Sequence, residues 1–168
     1  MTCPVLARTR EVTAADEDLV AAFHAQCSAQ NLLRRWGRTR LTPRDLARLL
    51  AQARCWVGLD TDEQPLALVC VGPVTAQPGV VDLGLQVADD HQRRGIGTVM
   101  ARQAALIARA DGAHTLTAFT HRSNTPMLRL LERLGPARLT RDGPCVEARV
   151  ALHGYAPDTH SCPRAAPR

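Results

Sequence analysis

The chain contains no lysine: all 21 of its basic residues are arginine. A lysine nucleophile and the lysine of a phosphate-binding P-loop are therefore excluded. Aromatic residues make up only 3% of the sequence, too few for the stacking platforms that hold single-stranded nucleic acid. A formal net charge of +5 then points to a small polyanion as partner and away from nucleic acid. No stretch approaches the roughly 18 consecutive apolar residues of a membrane span. The cysteines Cys3, Cys27, Cys55, Cys70, Cys145 and Cys162 stand singly, with no C-x2-C pair, which argues for reduced thiols and against a zinc knuckle or dithiol motif. Near the N-terminus, Glu11, Asp16, Glu17 and Asp18 interrupt the apolar run of roughly 7–15 residues that a secretory signal needs. A cytoplasmic protein with no metal and no membrane partner is expected.

What is present suits one folded unit. A length of 168 residues with 45% hydrophobic and 22% charged content fills a single globular core. The composition shifts only after Leu152, where His153 to Arg168 brings three prolines and loses apolar periodicity. The expected organisation is a domain over residues 1–152 and a disordered tail over 153–168. His153, His160 and Cys162 in that tail are irregularly spaced and lack a fourth ligand, so no metal site is assigned there.

Hydrophobic periodicity lays out the elements. Val5 to Arg8 starts a strand, and Asp16, Glu17 and Asp18 suit the positive end of a helix carrying Leu19, Val20 and Phe23. Thr42 as N-cap and Pro43 at the first helical position open a helix with Leu46, Leu49 and Leu50 on one face. Cys55 to Leu59 and Pro65 to Val71 read as strands around a turn at Asp60–Gln64, a hairpin signal. Val80 to Val87 alternates, with Val81, Leu83, Leu85 and Val87 on one face and Asp82, Gly84 and Gln86 on the other, as a strand with one polar face does. After the turn Ala88–Gln92 comes a helix with Ile96, Val99, Met100, Ile107 and Ala110 at helical spacing, stopped by Gly112. A strand over His114–Thr120 follows. Ser123-Asn124-Thr125-Pro126 opens a helix with Met127, Leu130, Leu131 and Leu134 on one face, and a hairpin over Arg138–Leu152 turns at Asp142-Gly143.

The segment that carries chemistry is Gln92-Arg93-Arg94-Gly95-Ile96-Gly97-Thr98 between a strand and a helix. Glycines there let the backbone approach a ligand closely, and the first N–H groups of the helix have no internal partners and carry the positive end of its dipole. A pyrophosphate fits such a seat. The dinucleotide fingerprint is not met: Met100 stands where a third glycine is needed, and Asp111 lies in the helix-ending Ala110-Asp111-Gly112, not at a strand end. A glycine pair alone reads equally as a tight strand-to-helix turn. The two preceding arginines favour phosphate.

Gln92-Arg93-Arg94-Gly95-Ile96-Gly97 resembles the Q/R-x-x-G-x-G/A loop of the GNAT superfamily of acyl-CoA-dependent N-acetyltransferases, and the order of elements agrees over most of residues 1–152. The resemblance implies an α/β fold of the GNAT type, a mixed central sheet with two splayed parallel strands (here Val80–Val87 and His114–Thr120) and flanking helices. It also implies acetyl-CoA as acyl donor, held by Val87, Gln92, Arg93, Arg94, Gly95, Ile96, Gly97 and Thr98, with Asn124 towards the thioester. The stretches Cys27–Trp36, Val87–Gln92, Asn124–Leu131, and Asp142-Gly143 leading to Val146-Glu147 are similar to the catalytic domains of bacterial protein lysine acetyltransferases that modify acyl-CoA synthetases. A primary amine, a protein lysine or a small molecule, is the implied acceptor, and the protein is expected as a monomer or homodimer.

Acetyl transfer needs a neutral amine, and presenting a lysine-type ammonium (pKa about 10.4) as neutral at pH 7 costs about 4.6 kcal/mol. A base must take that proton. The resemblance puts Asp82 where the subfamily has a glutamate base, one methylene shorter and so suited to act through a water; the alternative is a strand-edge salt bridge. Glu147 is the second candidate, or else a charge partner of an arginine. His121 is the third, or a solvated loop histidine. Many relatives place a tyrosine after the asparagine to protonate the departing thiolate; the matching position is Leu131, which continues an apolar stripe. The cluster Arg34, Arg35, Arg38 and Arg40 reads either as a docking face for an acidic surface on the acceptor side or as a solvated basic face.

Overall fold

Strand alternation divides the core in two. Cys55, Val57 and Leu59 point to one side of the sheet with Leu68 and Cys70, and join Val20, Phe23, Leu32 and Leu46 from three helices. Trp56, Ala67, Val69 and Leu83 point to the other side and meet Met100, Ala104 and Leu131. The computed structural model describes residues 6–153. Its elements are β1 (Arg8–Val12), a 3-10 turn (Ala14–Asp16), α1 (Glu17–Ala25), α2 (Ala29–Trp36), α3 (Pro43–Gln52), β2 (Arg54–Leu59), β3 (Pro65–Pro73) and β4 (Val80–Val87), followed by a second 3-10 turn (Asp89–His91), α4 (Ile96–Ala110), β5 (Thr115–His121), α5 (Thr125–Leu134), β6 (Ala137–Asp142) and β7 (Cys145–Ala151).

The seven strands form one sheet in the order β1-β2-β3-β4-β5-β7-β6. Every neighbouring pair is antiparallel except β4 and β5, which run parallel. This is the mixed sheet with one parallel pair that the sequence implies. The helix α4 lies close on β3 and β4 because the face it presents is small: Ala101, Ala104 and Ala105 are completely buried beside Met100. The cap predicted at Thr42 is present, with its side chain accepting from the Asp45 N–H and the Asp45 carboxylate accepting from the Thr42 N–H, a reciprocal box. In the Asp60–Gln64 turn, the Asp60 carboxylate accepts from the N–H groups of Asp62 and Gln64 at 2.9 and 2.8 Å, as an Asx turn does.

Two expectations need correction. The first strand covers Arg8–Val12, with Leu6 and Ala7 outside it and Val5 outside the described residues; Val12, buried, is its anchor in the core. A helix absent from the periodicity reading, α2, occupies Ala29–Trp36. It has only two turns and its Leu33 faces solvent, so no long apolar stripe announces it; the signals were Ser28 as N-cap and Gly37 in the left-handed conformation at φ 67°. The tail beyond His153, and with it His160 and Cys162, lies outside the described residues.

What fixes α2 over the sheet is Asp89, just past the end of β4. Its carboxylate accepts from the Ser28 N–H at 2.8 Å, the Ser28 hydroxyl at 2.7 Å and the Asn31 amide at 3.0 Å. The same Asn31 amide donates to the Val87 carbonyl at 2.8 Å. Burial alone would push the Asp89 carboxyl up, but the donors from Asn31 and Ser28 outweigh it and hold it below its ordinary value. A carboxylate whose folded pKa is lowered adds stability above its unfolded pKa, near 3.9, and loses it as pH falls through the folded value. Asp89→Asn is expected to cost about 1 kcal/mol at pH 7, a figure discounted for exposure. The difference from the parent should shrink below about pH 4, as read from urea midpoints across that range.

Candidate active site

The parallel pairing of β4 with β5 covers only Val80, Val81 and Asp82 against Thr115, Leu116 and Thr117. Beyond Asp82 the strands separate, and the edge of β4 that faces β5 has no ladder partner. A cleft of about 850 Å³ opens there. Asp82 sits at its vertex, beside the Thr117 hydroxyl, which donates to the Val81 carbonyl at 3.2 Å and lies 3.4 Å from the Asp82 carboxylate.

The far end of the cleft is the loop before α4. Gly95 has φ 82° with nothing within 4 Å of where a Cβ would stand, and Arg93 has φ 59°. Left-handed residues at two nearby positions are the backbone pattern of which anion-binding nests are made, and they stand here at the positive end of a 15-residue helix. Gln92 holds this loop to the strand by donating to the Val87 carbonyl at 3.1 Å. With Asn31 and Gln92 both donating to it, that carbonyl has used both lone pairs. Val87 therefore lines the cleft without a free acceptor for a ligand.

The polar face of β4 is filled from α2. Gln86 is buried and accepts from the Trp36 indole N–H at 3.1 Å, and the Trp36 ring meets the His24 ring edge-on at 5.7 Å. The Arg35 guanidinium lies 4.7 Å from the Trp36 ring centre and flat against Gly84, so close that a Cβ there would fall 1.7 Å from the Arg35 Nη2. A side chain at Gly84 would displace the Arg35 guanidinium from this place. Asp82 is open to the cleft, yet the protein packed around its carboxyl displaces enough water to push it above its ordinary value; the Arg35 charge and the Thr117 hydroxyl pull it down, and Glu147 adds to the rise.

A model of the Acetyltransferase (GNAT) family matches residues 18–135. The chain belongs to this family. Among solved structures, the GNAT domain of S. lividans PAT is similar at TM-score 0.77 and 20% identity, covering 89% of this chain and 96% of that one. A phosphinothricin acetyltransferase from Sinorhizobium meliloti in complex with AcCoA gives 0.74 and 16% over 92% and 98%. Spermidine N-acetyltransferase from Vibrio cholerae, in complex with CoA and spermine, gives 0.67 and 13% over 88% and 96%. These likenesses establish the GNAT fold.

Against that fold the expected site residues divide cleanly. Asp82, Val87, Gln92, Arg93, Arg94, Gly95, Gly97, Thr98 and Asn124 line the one cleft. Ile96 does not: its side chain is buried in the core. Asn124 donates to the Thr120 hydroxyl at 2.9 Å and so ties the start of α5 to the end of β5. Glu147 lies on β7 opposite Phe119 of β5, near enough to act on Asp82, and also pairs with Arg149 at 3.4 Å. His121 is the exposed last residue of β5, where its Nδ1 meets the Ser123 hydroxyl at 2.7 Å; it is not among the residues that line the cleft. Leu131 is fully buried. Among the described residues no helix is long and apolar enough to cross a membrane, and no cluster suited to a metal ion occurs.

Sequence reasoning missed Arg129 and Arg133, which line the cleft from α5, and Phe119, 59% exposed on β5. The i, i+4 spacing of the two arginines, opposite Leu130, Leu131 and Leu134, was the available signal. Because Glu147 raises the Asp82 pKa, Glu147→Gln should lower it. A carbon-detected NMR titration of the aspartate carboxyls checks the direction, and an unmoved Asp82 would show the two groups to be uncoupled.

Proposed function

We propose that this GNAT protein transfers the acetyl group of acetyl-CoA to a primary amine, with Asp82 as the base. The observation that carries this is the position of Asp82 at the vertex where β4 and β5 part, in the same cleft as the anion seat at residues 92–98. The main-chain nest around Gly95 and the arginines Arg93, Arg129 and Arg133 suit a diphosphate. Acetyl-CoA supplies an activated thioester to this site.

Transfer forms a C–N bond and breaks the C–S bond. The amine proton passes to the Asp82 carboxylate, directly or through a water, and the sulfur leaves as thiol after taking a proton. A carboxylate with a raised pKa is a better proton acceptor than an ordinary one. Glu147, the other expected base, is not among the residues that line the cleft and acts on Asp82 through its charge. No side-chain acid stands at Leu131, so the sulfur's proton comes from water. The resemblance of Cys27–Trp36 and Asn124–Leu131 to protein lysine acetyltransferases supports a protein lysine as acceptor; the cleft arginine Arg35 favours a second reading, a small amine.

Release of free thiol from acetyl-CoA, with and without amines, tests the proposal. Asp82→Asn should lower kcat/KM by about 100-fold or more while leaving CoA affinity by calorimetry unchanged. Full activity of that variant at pH 7 would remove Asp82 from the role. Gly95→Glu, which puts a charged side chain where φ is 82° and a phosphate is proposed, should abolish CoA binding. Binding of CoA with no acceptor-dependent thiol would leave an acyl-CoA-binding module without catalysis.

A further inference from the structure

Arg35 lines the cleft, and the transfer reaction does not explain its setting. It belongs to α2, a helix tied to β4 by Asp89, Asn31 and Ser28. Its guanidinium rests on Gly84 and beside Trp36, whose indole is itself fixed by Gln86. Among the described residues no carboxylate forms an ion pair with it. Its neighbours behave differently, since Arg38 pairs with Asp45 at 2.9 Å and Arg34 is exposed. A half-buried, unpaired guanidinium held by packing presents its forked donors in a fixed direction at little entropic cost.

Gly84 lies two residues along β4 from Asp82 on the same face, a separation of about 7 Å along a strand. Among the cations of the described residues, Arg35 is the one whose charge acts on the Asp82 carboxyl. A plain ammonium acceptor gains from Asp82 and is repelled by Arg35. An acceptor that carries an anion a few bonds from its amine satisfies both groups at once, with nitrogen at Asp82 and anion in the guanidinium fork.

We infer that the acceptor is a free amino acid, a small zwitterion whose carboxylate is bound by Arg35 while its amine is presented to Asp82. This deepens the proposed function and rests on it. Arg35 is then a specificity-determining residue, and Gly84 is glycine so that the fork can reach the cleft floor. A long acidic protein surface would be met better by the exposed arginines Arg34 and Arg40 than by this recessed one.

The test is thiol release with the common α-amino acids and, for each one that reacts, its decarboxylated amine and its methyl ester, alongside lysine peptides. The native protein should favour the amino acid over its decarboxylated amine by roughly 10–100-fold in kcat/KM. Arg35→Gln should erase that preference, read as the ratio of the two kcat/KM values because loss of the charge also acts on Asp82, with CoA binding by calorimetry showing that the variant is folded; Arg35→Lys, which keeps the charge and loses the fork, should fall between. CoA affinity should be unchanged in both. The inference is overturned, and acetyl transfer left standing, if decarboxylated amines or lysine peptides are preferred, or if Arg35→Gln weakens CoA and not the acceptor. Thiol release with no amine or peptide, despite CoA binding, overturns the transfer reaction as well.

Discussion

The site depends on two parallel strands that agree for three residues and then part. In a closed sheet the backbone groups of Leu83 to Val87 would be spent on a neighbour. Here β5 departs after Thr117, held off at its far end by the Asn124–Thr120 hydrogen bond and by α5, and the vacated edge becomes the wall of a cleft. The order β5-β7-β6 keeps β5 from being an orphan: what it loses on the β4 side it retains on the β7 side along its whole length. The opening is therefore made at no cost to the rest of the ladder, and both cores close beneath it.

Electrostatics inside that opening are a contest over one carboxylate. Desolvation and Glu147 push Asp82 towards its neutral form, and Arg35 and Thr117 pull it towards the charged one. Each contributor comes from a different element: β7, α2 and β5. The proton affinity of Asp82 is consequently a property of the assembled sheet and helix layer, and no local segment of chain sets it. The absence of lysine has a related effect, since every fixed positive charge at the cleft is a guanidinium, planar, permanently charged and inert to acylation.

Much of this was legible in the sequence. The loop at residues 92–98 announced itself because glycine is needed where φ is positive and arginine where an anion is expected, and β4 has the bounds its alternation gave. Strand parity also put Asp82 and Gly84 on the polar face. What parity does not encode is which strand comes next. Glu147 acts on Asp82 across β5 only because β7 pairs with β5, a long-range pairing with no local signature. The helix α2 was missed because eight residues with two arginines and an exposed leucine carry little periodic signal, and with it went the seat of Arg35, which arises from packing between a helix and a strand some fifty residues apart in sequence. Ile96 misled in the opposite sense: it sits inside the motif, yet its side chain serves the core.

Asp89 has a consequence for how such a domain can diverge. It stands in the short turn that leads from β4 to the glycine loop, and it also caps the helix that carries Arg35. One residue therefore sets the spacing of both ends of the cleft. An insertion or deletion between Ala88 and Gln92 would shift the two together, so length variation is expected to be tolerated in the Val74–Gly79 and Asp142–Pro144 connections and purged from this one, even though all three lie at the surface.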